Sequence, residues 1–293
     1  GLDVVHIENE GEPTKGQDVL RHVDVLDLND VWPGTCDDLG ELGMHGGHAV
    51  VQHAEGQPPD KTPDEIAGCA EAMREHVLPV HPTRDDVVDV VGTGGDGGRT
   101  FNISTAAALV AAAAGGAVAK HGNRAVSSAA GSADVLEALG FELEQPPERI
   151  ADSIDRLGFG FMFAPAHHPA MRHAAPVRRE IGTRTIFNLL GPLTNPAGAR
   201  AGIFGVFAPG LVRTFAEALA QLGASRAFVV HGAHGIDELS PAGPNVVCEV
   251  VDGEIRDRVI EPRELGIEPC DPADLAGGSP AENAAAIHAI CHG

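Results

Sequence analysis

Positive charge is scarce in this 293-residue chain: 20 Lys and Arg stand against 42 Asp and Glu, a formal net charge of −22. A general affinity for nucleic acid or an anionic membrane needs a basic footprint, so neither is expected as a partner. A small basic pocket for a phosphorylated substrate remains compatible with this balance. Lysine is rarest of all, at Lys15, Lys61 and Lys120 only, so the position of each is informative. The five cysteines (Cys36, Cys69, Cys248, Cys270, Cys291) include no C-x-x-C pair. That argues against a zinc or disulfide framework and for free thiols in a reducing cytoplasm. The opening GLDVVHIENEGEP is acidic and has no apolar h-region, so no secretory signal is expected. The longest small-apolar run, 105–119, is shorter and richer in Ala and Gly than the ~20 apolar residues of a membrane span. There is no internal repeat and no low-complexity tract. Hydrophobic and charged fractions of 43% and 21% are those of an ordinary globular chain.

Residues 1–60 show no apolar spacing. His45, His48, His53, Trp32 and Cys36 lie among Gly and Asp, and an irregular surface segment without metal is expected there. From Thr62 the pattern sharpens. Thr62-Pro63-Asp64-Glu65 is an N-cap with Pro at the first helical position, and a helix over 63–77 follows. β-branched residues predict a buried strand at 86–91, and a helix is expected over 104–114. A short strand at 117–119 and helices at 132–139 and 150–157 come next. Strands at 202–207, 227–230 and 246–250 and a helix at 211–222 complete the series. Strands alternating with helices predict an α/β fold with a largely parallel central sheet flanked by helices.

Four groups of residues carry chemistry. Gly92-Thr93-Gly94-Gly95-Asp96-Gly97-Gly98 follows the strand at 86–91, and glycines there let backbone N–H groups approach an anion. It fits neither the Walker nor the dinucleotide-binding pattern. Asn102-Ile103-Ser104-Thr105 then opens a helix, whose free N–H groups favour phosphate. Lys120-His121-Gly122-Asn123-Arg124 with Ser127 and Ser128 suits a multiply charged phosphate ester: lysine as point charge, arginine as fork, serines as donors. Asp237-Glu238 is an acidic pair suited to Mg²⁺, a hard ion that shares its substrate's phosphates. Arg178, before the Pro-shaped run 191–196, could hold an aromatic acid by its carboxylate. Singly, each is also what a tight loop, a helix cap or a surface side chain looks like. Together, at the C-terminal ends of strands, they point to Mg²⁺ and a pyrophosphorylated substrate.

At these residues the sequence resembles the anthranilate phosphoribosyltransferase family. The resemblance covers roughly 62–290 and rests on GTGGD (92–96), TFNIST (100–105), KHGNRAVSS (120–128), PVRREIGTRTIFNLLGPLTNP (176–196) and HGIDELS (234–240). It implies transfer of the phosphoribosyl group of PRPP to the amine of anthranilate, with Mg²⁺, in a cytoplasmic homodimer. It also implies a PRPP site of Gly92, Gly95, Asp96, Thr100, Asn102, Ser104, Thr105, Lys120, Asn123, Ser128 and Ser132, with Ile103, Gly122, Arg124 and Ser127 as further substrate-binding residues. Ser104, Asp237 and Glu238 would be metal ligands. Gly92, Asn123 and Arg178 would contact anthranilate, with His121 and Pro192 lining its pocket. Lys120, Asn123 and Arg178 carry the catalytic expectation, and no general base is assigned. The implied organisation is a small helical domain, residues 1–82, and an α/β domain, residues 83–293, with 166–185 packing on the helical part. The helical domain looks degenerate here: 20–60 reads as a divergent or frame-shifted replacement, and the family's last helices are missing after 281–290. A pyrimidine-nucleoside phosphorylase and a non-catalytic nucleic-acid-binding relative are the rival readings.

Overall fold

The computed structural model describes residues 24–27, 48–51, 61–95, 97, 100–125, 128–181 and 184–293. A two-stranded antiparallel ribbon, β1 (Asp24–Asp27) with β2 (His48–Val51), lies where an irregular segment was expected. The remainder of the 20–60 expectation falls outside the described residues.

The main sheet has seven strands: β3 (Val87–Gly92), β4 (Ala117–Gly122), β5 (Phe159–Phe163), β6 (Ala201–Gly205), β7 (Arg226–His231), β8 (Asn245–Val251) and β9 (Glu254–Ile260). Their order is β5-β4-β3-β6-β7-β8-β9. The first five run parallel, and β8 and β9 add an antiparallel edge. The chain builds outward from β3 through β4 to β5, then returns to β6 on the other side of β3. The β3/β6 boundary is therefore the topological switch point, the place where open α/β sheets hold ligands.

Nine α-helices are described: α1 (Pro63–Glu75), α2 (Ile103–Ala113), α3 (Ser132–Ala138), α4 (Pro147–Leu157), α5 (Ala164–His167), α6 (Met171–Ile181), α7 (Phe187–Leu190), α8 (Leu211–Gln221) and α9 (Pro280–His292). The period-2 rule of strands sorts side chains to opposite faces. Val118 and the phenylalanines 159, 161 and 163 join a core with Ala108 and Leu136 of α2 and α3. Ala117, Ala119 and Met162 face the other way, onto Ile150 and Ile154 of α4. The largest core joins β6, β7 and β8 to α8 and to α1, through Ile66, Ala67 and Ala70.

Helix α1 starts where its sequence signals, with a capping box: Glu65 N donates to Thr62 Oγ1 at 3.2 Å and Thr62 N to Glu65 Oε2 at 2.8 Å. Its Arg74 Nε donates to Leu193 O at 2.7 Å, fixing the helix to the run after α7.

Several differences from the sequence reading have clear causes. β5 is buried along its whole length, so Phe-Gly-Phe-Met-Phe carries no alternation to reveal it. β9 is an exposed edge strand rich in charge, held by cross-strand pairs such as Arg258 with Glu249 at 3.2 Å. β4 runs to Gly122, so Lys120, His121 and Gly122 belong to the strand and not to a loop after it. α6 carries Pro176 internally, which masked it as a helix.

Candidate active site

The site is built at the switch point. Gly92 and Gly205 are register partners at the C-terminal ends of β3 and β6. A Cβ on Gly205 would overlap the Asp237 carbonyl oxygen, and one on Gly92 would overlap the Asp237 carboxylate. The loop after β7 therefore lies directly on the two strand ends because both residues lack side chains. Gly94 N donates to Asp237 Oδ2 at 2.7 Å, tying the glycine turn to that loop. Asp237 is 8% exposed.

Glu238, next in the chain, reaches the start of α2. Ser104 Oγ donates to Glu238 Oε1 at 2.8 Å and lies 2.9 Å from Oε2, and Ser104 N is 3.3 Å from Oε1. A carboxylate at a helix N-terminus meets unsatisfied N–H groups and the positive end of the helix dipole. The loop is braced by Asn245: Ser240 N donates to its Oδ1 at 2.7 Å, and its Nδ2 donates to Ser240 O at 3.0 Å.

Lys120 lies beneath this rim, 2% exposed, with Nζ 2.5 Å from Val90 O. Burial pushes its pKa down, while the charges of Asp89, Glu238 and Asp237 oppose that shift. Burial raises the Asp89 carboxyl to about 6, against the pull of Lys120 and of hydrogen bonds. Asp89 accepts from Asn195 Nδ2 at 2.7 Å and from His121 N at 3.2 Å. Asn195 Nδ2 also reaches Ala119 O at 2.8 Å, so β3, β4 and the 191–197 run are locked together.

His121 is buried. Its Nδ1 lies 3.1 Å from Gly191 O, and its Nε2 lies 3.1 Å from His168 Nε2. A carbonyl can only accept, so Nδ1 of His121 carries the proton, and His168 Nε2–H donates to the bare Nε2 of His121. Burial lowers His121 to about 3 and His168 to about 4. Both are neutral in the folded chain, whereas unfolded imidazoles take up protons below about pH 6.5. Asp89 acts in the opposite sense: folded it keeps its proton up to about pH 6, while unfolded it loses it above about 4. Between pH 6 and 4, unfolding thus takes up two protons at the histidines and releases one at Asp89. Stability should fall by roughly 1.4 kcal/mol per pH unit from these groups as the medium is acidified. Urea unfolding at pH 6.5, 5.5 and 4.5 measures this slope. Exchange of His168 for Gln should flatten it, and an unchanged slope would exclude the pair as the source.

The other expected residues divide by location. Asn102 opens α2 and donates from Nδ2 to Ala130 O at 3.1 Å. Ser132 Oγ lies 3.3 Å from Asn123 O, bringing α3 to the end of β4. Ser128 Oγ is 3.5 Å from Ala130 O, Thr105 is buried, and Pro192 is buried beside Gly191. Thr100 forms an isolated bridge with Ala276, and Ile103 N donates to Phe101 O at 2.7 Å. Arg178 lies on α6, its guanidinium 5.5 Å from the Phe187 ring centroid, and burial lowers its pKa. Arg124 is engaged elsewhere, with Asp134 at 2.9 Å and Glu137 at 2.8 Å, on an exposed surface. Asp96 and Ser127 lie outside the described residues.

Sequence reasoning missed two supporting residues. Asn283 of α9 donates from Nδ2 to Asn102 Oδ1 at 2.9 Å, and Gly278 N donates to Asn283 Oδ1 at 2.7 Å. Arg184 donates to the carbonyl of Gly95. Arg184 lies inside the run 176–196 and Asn283 is a lone asparagine in an Ala-rich helix; neither setting gives a local signal of these distant partners.

The donor set suits a hard cation: one hydroxyl and two carboxylates, from Ser104, Asp237 and Glu238, with no sulfur or imidazole. Among the described residues no group of three His, Cys, Asp or Glu surrounds a common point. An all-protein cage is therefore not what the rim offers. Mg²⁺ needs only one or two carboxylates, because substrate phosphates and water complete its shell. The four described cysteines are free, and no described helix is long and apolar enough to cross a membrane.

Fold and rim together define an α/β protein whose candidate site lies at the sheet's switch point, the architecture of a glycosyl-transfer enzyme. The family described as "Glycosyl transferase family, a/b domain" matches residues 84–293. The anthranilate phosphoribosyltransferase of Deinococcus radiodurans is 57% identical over 234 residues, covering 80% of this chain and 69% of the relative. The crystal structure of anthranilate phosphoribosyltransferase from Thermus thermophilus superposes with a TM-score of 0.73 at 57% identity, covering 78% of this chain and 67% of that one. The Saccharomyces cerevisiae enzyme in complex with PRPP and Mg superposes at 0.72, with 33% identity, 78% of this chain covered and 62% of that one. The chain belongs to the anthranilate phosphoribosyltransferase family.

Proposed function

We propose that this chain transfers the 5-phosphoribosyl group of PRPP to the amine of anthranilate, giving N-(5-phosphoribosyl)anthranilate and pyrophosphate, in the synthesis of tryptophan. The observation that carries the reading is the meeting of four segments at one strand boundary. The glycine turn binds Asp237, Ser104 binds Glu238, and Lys120 lies beneath, within the field of both acids.

The amine nitrogen attacks C1 of the ribose as the C1–O bond to pyrophosphate breaks, and the amine proton passes to water. Charge grows on the departing pyrophosphate and on an oxocarbenium-like ring. The Lys120 ammonium supplies positive charge on the pyrophosphate side in a water-poor setting, where it acts more strongly than in solvent. The turn amides and the start of α2 orient phosphoryl oxygens. Arg178, stacked on Phe187, would hold the anthranilate carboxylate, and Asn123 would align the amine, so the two reactants meet in a fixed geometry. The arylamine is nucleophilic enough without a strong base. His121, neutral and fixed between Gly191 and His168, lines the pocket and does not abstract the proton.

Ser104, Asp237 and Glu238 would hold Mg²⁺, which when bound would neutralise the pyrophosphate. We extend the proposal to a division near residue 82, with 166–185 on the N-terminal part, and to a homodimer. The first is supported by Leu78 and His167: Leu78 N donates to His167 O at 2.8 Å, and His167 Nδ1 meets Leu78 O at 2.8 Å.

The test is consumption of anthranilate in the presence of PRPP and Mg²⁺, with EDTA as control. Activity lost in EDTA and regained with Mg²⁺ is expected. Combined Asp237→Asn and Glu238→Gln exchange should lower kcat/KM by about 100-fold or more, the scale of a lost electrostatic contact in a transition state. Full activity in that variant would remove both acids from the metal site.

A further inference from the structure

One side chain joins the two halves of the site. Arg184 donates from Nη2 to Gly95 O, in the glycine turn after β3. Its guanidinium lies over the Phe207 ring, 4.1 Å from the centroid. Phe207 is itself tied to that turn, its N donating to Thr93 Oγ1 at 3.1 Å. Arg184 therefore grips the turn twice, at Gly95 directly and at Thr93 through Phe207.

In the chain direction Arg184 runs straight into a compact segment. Thr185 N donates to Asn188 Oδ1 at 2.9 Å, and Leu189 N to Ile186 O at 2.8 Å, so α7 begins almost at once. Three residues beyond Arg184 is Phe187, whose ring carries the Arg178 guanidinium at 5.5 Å. A path thus runs from the glycine turn at Gly95 to Arg184 by a hydrogen bond, along three residues of chain to Phe187, and from its ring to Arg178. Its central link is a planar guanidinium that donates from one edge while its face lies on an aromatic ring, a pairing that lysine cannot reproduce.

We propose that Arg184 is a positioning residue that couples the glycine turn, which receives the pyrophosphate, to the Arg178–Phe187 half, which receives the aromatic carboxylate. The inference rests on the transferase reading above. An anion that fixes the turn fixes Gly95, and through Arg184 it fixes the segment carrying Phe187. The first ligand then meets an ordering cost that the second no longer bears. Coupling of this kind is reciprocal: each ligand tightens the other by the same factor.

Calorimetry tests it with anthranilate titrated into the full chain, with and without saturating pyrophosphate and Mg²⁺, so that no turnover occurs. Wild-type protein should bind anthranilate about fivefold or more tighter when pyrophosphate is present. In Arg184→Gln the factor should fall to within about twofold of unity, and Phe207→Leu, which keeps apolar bulk but removes the ring, should lower it too. If Arg184→Gln does not fold, Arg184→Lys carries the test with the same expectation, since it keeps the charge and loses the fork. A purely structural role would change melting temperature and leave the coupling factor intact. An unaltered factor in the variants, or no coupling in a wild-type protein that binds both ligands, overturns the proposal. A wild-type protein that binds neither ligand overturns the transferase reading, and this inference with it.

Discussion

Replacement of Gly205 by alanine is expected to remove activity almost completely. The new Cβ would overlap a backbone atom, the carbonyl oxygen of Asp237, not the end of a movable side chain. Relief requires the 232–240 loop to lift off the strand ends. That loop is fastened by Asn245 and by Gly232 N donating to Ile236 O at 2.8 Å, so the shift cannot be absorbed locally. Stability should fall by about 1–3 kcal/mol, as for overpacked sites. Turnover should fall further, by about 100-fold or more, because Asp237 and Glu238 move with the loop and a displacement near 1 Å in a site is that costly. Urea unfolding and kcat/KM measured together separate the two effects. Gly210→Ala is the control: nothing lies within 4 Å of its added Cβ, and both quantities should stay at wild-type values. A Gly205→Ala protein with near-normal turnover would show that Asp237 is not held by this contact.

The second large effect is expected at Lys120. Its exchange for Met keeps the shape of the side chain and removes the charge. Asp89, buried under the sheet rim and raised to about 6 by that burial, then loses the cation that favours its ionised form. The two act on each other through space and not as a direct ion pair, and Met also leaves the Val90 carbonyl without its donor, so the cost should be about 1–3 kcal/mol. Lys120→Met should therefore unfold at markedly lower urea and show no measurable transfer. Combining it with Asp89→Asn removes the stranded charge, so much of the stability should return while activity does not. That pattern assigns Asp89 to the stability of the rim and Lys120 to both stability and chemistry. Recovery of activity in the double variant would contradict the role of Lys120 in balancing pyrophosphate charge. Failure of the double variant to regain stability would show that the hydrogen bonds of Asp89 to Asn195 and His121, and not its charge, matter most.

Much of the architecture was legible because local rules and tertiary outcome agree. The Thr62–Glu65 capping box marks the start of α1 to the residue. The β-branched run before Gly92 is β3, and the amphipathic run ending at Leu157 is α4, closed by Gly158 in the left-handed conformation. β5 and β9 were not legible, for opposite reasons. One is apolar on both faces and one is charged along an exposed edge, so neither shows the alternation of a half-buried strand.

Within the site, the motifs named the residues but not their partners. Arg124 stands beside Asn123 in the same motif, yet its guanidinium turns out to Asp134 and Glu137. Lys120 reads as a loop cation and is a strand residue under the rim. Asn283 supports Asn102 from 181 positions away.

By itself the sequence determined the residue chemistry: scarce positive charge with one of only three lysines in the 120–128 motif, glycines at strand ends, an acidic pair, and the helix and strand starts around them. These depend on propensity and spacing within a few residues. The tertiary structure alone decided that β6 returns beside β3, so that Gly92 and Gly205 become neighbours and Asp237 can lie across both. It also decided that Ser104 meets Glu238, and Gly95 meets Arg184. Those pairings join segments some 90 to 134 residues apart, and only the packing of helices on both faces of a twisted sheet sets them.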